Sequence, residues 1–585
     1  MISLKKASGK DWALIQAGGN GRWFSFRHPV EVIEVSEVAD LLPGLRRVEE
    51  LVENRGLYAA GFISYEAAPA FDTALRTRPP GPFPLLRFGI YSQPEIVQPP
   101  PFGGGIQPGP WVPSITKRDY RRGVNRIKEQ IARGETYQVN YTLRLSTPFT
   151  GDAWSLFLNM IRAQESEYGA FIDTGRYAIC SASPELFFLL EGRHLTTRPM
   201  KGTAARGRTF SEDSAQAEWL YHSEKNRAEN LMIVDMIRND LGRIALTGSV
   251  RVRRLFEVER YPTVFQMTST VTARTTAPFY EIVASLFPCA SVTGAPKPRT
   301  MKIIAELEAT PRRVYTGCIG FFSPGRRARF NVAIRTVIVD REAALAEYGV
   351  GGAIVWDSAI EEEYEECRIK ARILTAKQPD FSLLETMSWT PEEGYFLLER
   401  HLDRLEKSAS YFGFPADTGR IREILISHAH RRPRFPHKIR LLVNRDGKIT
   451  CEEIPLPGQP KSRNVRIKLA PFPVDSRDFF LYHKTTNRRL YEAARAACSD
   501  CDDVLLWNER GEVTETTIAN IVARLSGQLV TPPVASGLLP GTAREWLLEC
   551  GEIKERVITI DEIKKSEQVF LINSVRRWQR ATLLD

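Results

Sequence analysis

Lys201, in Met200-Lys201-Gly202-Thr203, follows Glu185 by sixteen residues. A lysine so placed is a candidate nucleophile, and the carboxyl a candidate proton shuttle. It can attack only when neutral, so its surroundings must bring its pKa down from about 10.4. Taken alone, a Lys-Gly pair is most often a solvated turn. A second cluster lies at 361–366, where five of six residues are glutamate. Glu363 and Glu366 are three apart and share a helical face, which Lys370 continues one turn on. Glu361 and Glu362 read as solvated surface, the usual fate of such a run.

These side chains need a scaffold. Tyr177-Ala178-Ile179-Cys180 and Leu186-Phe187-Phe188-Leu189-Leu190 read as strands flanking a turn that displays Glu185. Residues 212–237 read as one helix closing near Gly242, and 361–376 as another. Gly61-Phe62-Ile63-Ser64-Tyr65-Glu66 is a candidate buried strand. Residues 91–114 carry Pro94, Pro99, Pro100, Pro101, Gly103, Gly104, Gly105 and Pro108, which cannot sustain a helix or a central strand. They are expected to cross the surface between two portions of one domain. Lys377-Gln378-Pro379-Asp380 opens a linker, because proline stops the preceding helix. Short strands alternate with long helices throughout, which points to an α+β fold.

Bulk properties narrow the classes. The 585 residues are 43% hydrophobic and 26% charged, a globular composition with room for several domains. No stretch approaches the ~18 unbroken apolar residues of a membrane span. Met1-Ile2-Ser3-Leu4-Lys5-Lys6 leads into Asp11 and Trp12 rather than a secretory apolar core, so a cytoplasmic location is expected. The net charge of +10 is spread among acidic residues, without a basic run interleaved with stacking aromatics. Arg431-Arg432-Pro433-Arg434 and Arg312-Arg313 read as solvated turns. Nucleic acid is therefore not expected as a partner; a dianionic substrate and a phosphorylated cofactor suit the charge. Of eight cysteines only Cys498 and Cys501 have ligand-like spacing, and no second pair completes a zinc site.

The motifs around Lys201 continue with Ala228-Glu229-Asn230, Arg238-Asn239-Asp240-Leu241-Gly242, Val292-Thr293-Gly294-Ala295-Pro296-Lys297, Ala333-Ile334-Arg335-Thr336 and Glu363-Tyr364-Glu365-Glu366. In order and spacing, residues 110–377 resemble the chorismate-utilising enzymes, the family of anthranilate, isochorismate, salicylate and aminodeoxychorismate synthases. That resemblance implies stacked β-sheets with outer helices around a cleft. It implies Mg²⁺ held by Glu229, Glu363 and Glu366, hard oxygen ligands of the kind this ion prefers. Arg335, with Tyr315 and Lys370, would bind chorismate carboxylates, and Gly202, Thr203 and Gly349 would offer backbone amides. Lysine at 201, where anthranilate synthases carry alanine, points to the component I branch of the aminodeoxychorismate synthases. Gln266 stands where the family often has a histidine with proton-transfer roles in pyruvate elimination; glutamine cannot be a base, which agrees with Lys201.

From Leu383-Leu384-Glu385-Thr386 onward a second resemblance begins, to the fold-type IV pyridoxal-phosphate enzymes, a two-subdomain fold. Lys484 in His483-Lys484-Thr485-Thr486 matches their cofactor-bound lysine. Glu515 in Val513-Thr514-Glu515-Thr516 matches the acid beside the pyridine nitrogen, and Arg404 the phosphate-binding arginine. Thr542 and Ser574 are further phosphate candidates. Only Phe381-Ser382 precedes the Glu-Thr motif, shorter than in stand-alone members. The expected division is 1–110 and 111–377 for the chorismate region, a linker at 378–382, and 383–585 for the pyridoxal-phosphate region, a candidate homodimer interface. Together the resemblances imply amination of chorismate to 4-amino-4-deoxychorismate, then pyruvate release by a lyase, toward the 4-aminobenzoate of folate. Nothing resembles a glutaminase, so a separate amidotransferase subunit is the expected ammonia source. Rival readings are anthranilate synthase component I for the first region, and an aminotransferase or a non-catalytic dimerisation module for the second.

Overall fold

The computed structural model describes residues 3–5, 11–18, 21–98, 108–375, 379–430, 435–456 and 464–584. Pro99–Pro101 and the glycines at 103–105, Lys377-Gln378 and Arg431–Arg434 lie outside them. The chain divides into two compact units, Met1–Ala205 with Ala217–Gln378, and Arg206–Gln216 with Pro379–Asp585.

Among the described residues, the first unit is built on two large mixed-order sheets, one of eleven strands and one of ten. The pairings are antiparallel, and several join segments far apart in sequence, as where Cys318–Ser323 lies against Tyr58–Ile63. The longest pairing runs Leu345–Ile354 against Gln138–Pro148 over ten residues, and it carries Gly349 into the core. Buried aliphatic and aromatic side chains fill the faces of both sheets, with Leu45, Phe88 and Phe330 in one cluster and Phe157, Val339 and Ile354 in another. Helices cover them where capping residues start them. Lys117–Ala132 begins at Thr116, whose side chain accepts the Asp119 amide.

Four local expectations shift, one of them at Arg312, read as part of a solvated turn but buried and paired with Glu308 at 2.6 Å. The single helix over 212–237 is two helices, Phe210–His222 and Glu224–Gly242, because Ser223 takes extended backbone and its hydroxyl caps the Asn226 amide. The strand near Gly61 is Tyr58–Ile63, after which Tyr65–Ala70 turns as a 3₁₀ helix. The last helix is Ile360–Ala371, tightening to 3₁₀ at Arg372–Leu374. As expected of the Pro/Gly-rich stretch, its described parts beyond Tyr91, which ends the strand Leu86–Tyr91, form only the short edge strands Glu95–Val97 and Val112–Pro113.

The second unit holds a small antiparallel sheet, in which Leu383–Thr390 pairs with His437–Val443 and the latter with Ile449–Pro455. The amphipathic helix Leu398–Phe412 covers one face. An eight-stranded sheet follows, running from Val465–Leu469 to Arg577–Leu583. No described helix is long and apolar enough to cross a membrane.

Candidate active sites

In the first unit, Lys201 sits on the strand Met200–Ala205. Gly202 beside it takes φ +105°, a backbone that a side chain would strain, and a Cβ there would press on Asn226. The helix Glu224–Gly242 clamps this strand: Asn230 donates to the Lys201 carbonyl at 3.2 Å, and Ser269 holds the Asn230 amide oxygen at 2.6 Å. Glu229, on the same helix, reaches 4.0 Å from the Lys201 ammonium, whose side chain is 11% exposed. Burial lowers the Lys201 pKa; the Glu229 carboxylate opposes it and Lys370 adds to it.

Glu185 occupies the expected turn between two strands but is fully buried. Burial pushes its pKa up to about 7, against the Ser291 hydroxyl that donates to it at 2.6 Å and the Met200 amide at 3.4 Å. A carboxyl with that pKa delivers and accepts protons near neutrality. A general acid acts in its protonated form, so a chemical step that uses Glu185 in that role should slow as pH rises through about 7. Glu185→Gln should flatten that limb of the kcat profile and lower kcat by roughly 10²-fold or more. An unchanged alkaline limb in the variant would remove Glu185 from proton transfer.

Both residues open on one cavity of about 500 Å³, which Gly202, Thr203, Glu229, Gln266, Tyr315, Arg335, Gly349, Glu363, Glu366 and Lys370 also line. All the residues singled out for chorismate and metal are thus brought together. Their engagements differ. Lys370 is held by Glu366 at 2.5 Å and by the Gly351 carbonyl at 2.9 Å. Arg335, at φ +51°, uses one guanidinium nitrogen on the Lys370 carbonyl, 2.5 Å away. The Tyr315 ring lies so close to Gly349 that a Cβ there would fall 2.2 Å from the ring, which explains the glycine by packing. Gln266 accepts from the Thr203 hydroxyl at 3.3 Å.

Glu363 has a raised pKa, through burial and then the neighbouring Glu366 carboxylate. For Glu366 burial acts upward, but the Lys370 ammonium together with the Lys201 and Arg335 charges outweighs it and the net shift is down. Among the described residues no three acidic, imidazole or thiol groups converge tightly enough to hold an ion unaided. The donor chemistry still fits Mg²⁺, since hard oxygens line one wall and a cation would relieve the Glu363–Glu366 repulsion; further oxygen ligands would complete the set.

The second unit has its own cavity of about 390 Å³, lined by Lys484, Glu515, Arg404, Thr542 and Ser574 together. Burial, then the nearby Arg404 charge, lowers the Lys484 pKa to about 8. Glu515 is buried and pushed up to about 7, while Tyr491 donates to it at 2.8 Å, the Leu539 amide at 3.2 Å and Asn520 at 3.3 Å. Arg404 grips Glu385 with two bonds at 2.9 and 2.7 Å and the Pro540 carbonyl with a third. Two of its five N–H donors remain for a ligand. Thr542 starts the helix Thr542–Glu549, whose first amides lack intrahelical acceptors, and its hydroxyl lies 3.2 Å from His401. At Gly541 a Cβ would meet Asn520 at 1.9 Å, so this loop is pressed against the cavity wall. A lysine, a buried carboxylate and a helix N-terminus in one cavity fit pyridoxal phosphate. Sequence reasoning missed Ser291, Tyr491, His401 and Asn520 as hydrogen-bond partners of these groups, and none of them carries a local signal.

Residues 11–376 match the family model described as chorismate binding enzyme, and residues 382–584 that of amino-transferase class IV. The chain belongs to the chorismate-binding enzyme family, with a class IV amino-transferase region following. Aminodeoxychorismate synthase component 1 of Escherichia coli K12 is 40% identical over 258 residues, 44% of this chain and 56% of that protein. An anthranilate synthase component 1 of Haloarcula marismortui is 31% identical, over 66% of this chain and 88% of that one. Among solved structures, anthranilate synthase component I of Streptococcus pneumoniae is 25% identical with a TM-score of 0.51, covering 64% of this chain and 94% of that one. The chain thus spans a little over half the length of the aminodeoxychorismate synthase relative it matches.

Proposed function

We propose that the first unit aminates chorismate to 4-amino-4-deoxychorismate and that the second releases pyruvate from that product to give 4-aminobenzoate. The observation that carries the first half is Lys201, buried with a lowered pKa in a cavity that also holds Glu185. Its neutral amine attacks C2 of chorismate, the two conjugated ring double bonds shift, and the C4 hydroxyl leaves as water with the proton from Glu185. Ammonia then attacks C4, both double bonds return, and Lys201 is expelled. The net change is chorismate plus ammonia to aminodeoxychorismate plus water. Arg335 and Tyr315 bind the substrate carboxylates in this reading, and a separate amidotransferase subunit supplies ammonia, as the component 1 designation of the relatives suggests. Glu363, Glu366 and Glu229 would hold Mg²⁺, which offsets the charge of the dianionic substrate.

In the second unit, pyridoxal phosphate supplies an electron sink for the carbon that bears the substrate amine. Neutral Lys484 removes the proton from that carbon, and Glu515 keeps the pyridine nitrogen protonated. The ring then aromatises as the enolpyruvyl oxygen departs and pyruvate is released. Its placement in one chain with a source of its substrate supports a lyase over a transaminase.

Incubating the purified protein with chorismate, ammonium, Mg²⁺ and pyridoxal phosphate tests the whole reading: pyruvate and 4-aminobenzoate should accumulate together. Anthranilate as the product would replace the first half. Exchange of an amino group between amino and keto acids, without pyruvate from aminodeoxychorismate, would replace the second. Glu363→Gln should raise the Mg²⁺ concentration for half-maximal amination by roughly tenfold or more, since a hard cation loses a charged ligand. Wild-type Mg²⁺ dependence would return Glu363 to a structural role.

A further inference from the structure

Three buried polar side chains of the second unit form a chain that ends at its cavity. Glu385 lies on the strand Leu383–Thr390, His401 one turn into the helix Leu398–Phe412, and Thr542 at the start of the helix Thr542–Glu549. The three are 1%, 0% and 2% exposed, too little for solvent to reach any of them freely. His401 Nδ1 lies 2.6 Å from a Glu385 carboxylate oxygen, and its Nε2 3.2 Å from the Thr542 hydroxyl. Thr542 lines the cavity, with His401 behind it and Glu385 behind His401.

Each bond in this chain has a direction. Burial acts upward on the Glu385 carboxyl, but nearby charge, Arg404 foremost, outweighs it and brings the pKa to about 2. Glu385 is therefore an acceptor only, and His401 Nδ1 must carry a proton. In a neutral imidazole Nε2 is then a bare acceptor, to which the Thr542 hydroxyl donates its single proton. Oxygen lone pairs are left facing the cavity, the wrong polarity for an anion. In an imidazolium both nitrogens donate. Nε2–H then holds the hydroxyl oxygen, and the hydroxyl proton is free to point at a ligand.

Surrounding charge selects the form. Burial lowers the His401 pKa, Glu385 opposes this, and Arg404 and Lys484 add to it. Arg404 stands three residues along the same helix, and the Lys484 carbonyl accepts the Leu384 amide at 3.0 Å, beside Glu385. Glu545, on the helix that Thr542 starts, acts on Arg404. These groups by themselves leave the ring neutral near pH 7. A phosphate dianion next to Thr542 and Arg404 favours the imidazolium.

We infer that His401 is a positioning residue that takes up a proton from solvent when the cofactor phosphate binds, and so turns the Thr542 hydroxyl to donate to the anion. The inference rests on the reading of this cavity as a pyridoxal phosphate site. Arg404 and the helix amides are donors at any neutral pH, whereas the Thr542 hydroxyl becomes one only through His401. A group whose pKa rises on binding favours binding most at low pH. Phosphate affinity therefore falls, by up to about tenfold per unit, as pH rises between the free and bound values.

Pyridoxine phosphate and free pyridoxine are the probes, because neither has the aldehyde that reacts with Lys484 and they differ only in the phosphate. Each is bound to the full chain by calorimetry at about pH 7.5, one unit above the ordinary histidine value, in buffers of different ionisation enthalpy. The ester should take up roughly half a proton or more beyond free pyridoxine. Nitrogen NMR of the wild-type His401 ring should pass from the neutral tautomer to imidazolium, while phosphorus NMR keeps the bound ester dianionic. Between about pH 7 and 8.5 the ratio of ester to pyridoxine affinity should fall by roughly threefold or more in wild type, and stay level in His401→Gln, whose amide can hold the hydroxyl without titrating. If that variant fails to fold, the wild-type ring signals decide. Equal proton uptake by the two probes, a ring that stays neutral, or an extra proton found on the phosphate each overturns the role of His401. An ester that binds without the extra proton overturns it alone; an ester that does not bind at all takes the cofactor reading down with it.

Discussion

Lys201→Ala should abolish formation of aminodeoxychorismate, a loss on the order of 10³-fold or more in kcat, because the amine that forms the covalent bond to C2 is gone. The site around it should survive. Asn230 holds the backbone carbonyl of residue 201, not its side chain, so the strand keeps its anchor. The variant should therefore still bind chorismate, and ammonia can then attack C2 directly, giving an anthranilate-type product in place of the C4 amine. Two measurements decide the matter. Intact-protein mass after a chorismate quench should show an adduct in wild type and none in the variant, and the product spectrum should change. A variant that makes aminodeoxychorismate at the normal rate would leave Lys201 as a bystander and would revive direct amination for the first unit.

Lys484→Ala should have an equally large effect on the second unit. The wild-type protein with pyridoxal phosphate should show a visible absorbance band, which borohydride fixes covalently on the peptide containing Lys484. The variant should show neither, and pyruvate release should fall by on the order of 10³-fold, since cofactor anchor and base are lost together. Amination by the first unit should be untouched, because every residue lining the Lys201 cavity lies within 140–370. The band should respond to pH as well. The Lys484 amine is brought to about 8 by burial and by Arg404, so it is ready to attack the cofactor aldehyde at lower pH than an ordinary lysine. A reduced, labelled peptide that maps elsewhere in the variant would reassign the anchoring lysine.

Much of this was legible in the residues. Lysine after glutamate, glutamates at helical spacing and lysine-threonine before a Glu-Thr strand all carry their chemistry locally, and the fold brings each set into one cavity. What stayed hidden depends on contacts the chain makes only when folded. Ser291 meets Glu185 across 106 residues, and Tyr491 meets Glu515 across 24, with no periodicity to announce either. The helix break at Ser223 carries little sequence signal, because one serine in an otherwise helical pattern is a weak stop until its hydroxyl caps the next turn. Sheet order was equally closed to inspection, since Tyr58–Ile63 finds its neighbour only at Cys318–Ser323. Lys370 shows the reverse case: its spacing from Glu366 was readable, and their pairing follows from that same spacing.

The strand His437–Val443 has an implication for how such a protein changes over time. Its Ile439, Leu441 and Val443 side chains hold the small sheet to the helix above it, and Lys438 and Arg440 meet whatever enters the cavity. Mutations at 438 and 440 can therefore drift, or be selected, at little risk to folding, whereas those at 439 and 441 are purged for instability whatever the substrate. Preference for a new acid would arise by rewriting one side of a single strand while the other stays fixed. In a pool of descendants, variation should concentrate on alternate positions of that strand, and a library randomised only there should yield folded proteins of altered selectivity at high frequency.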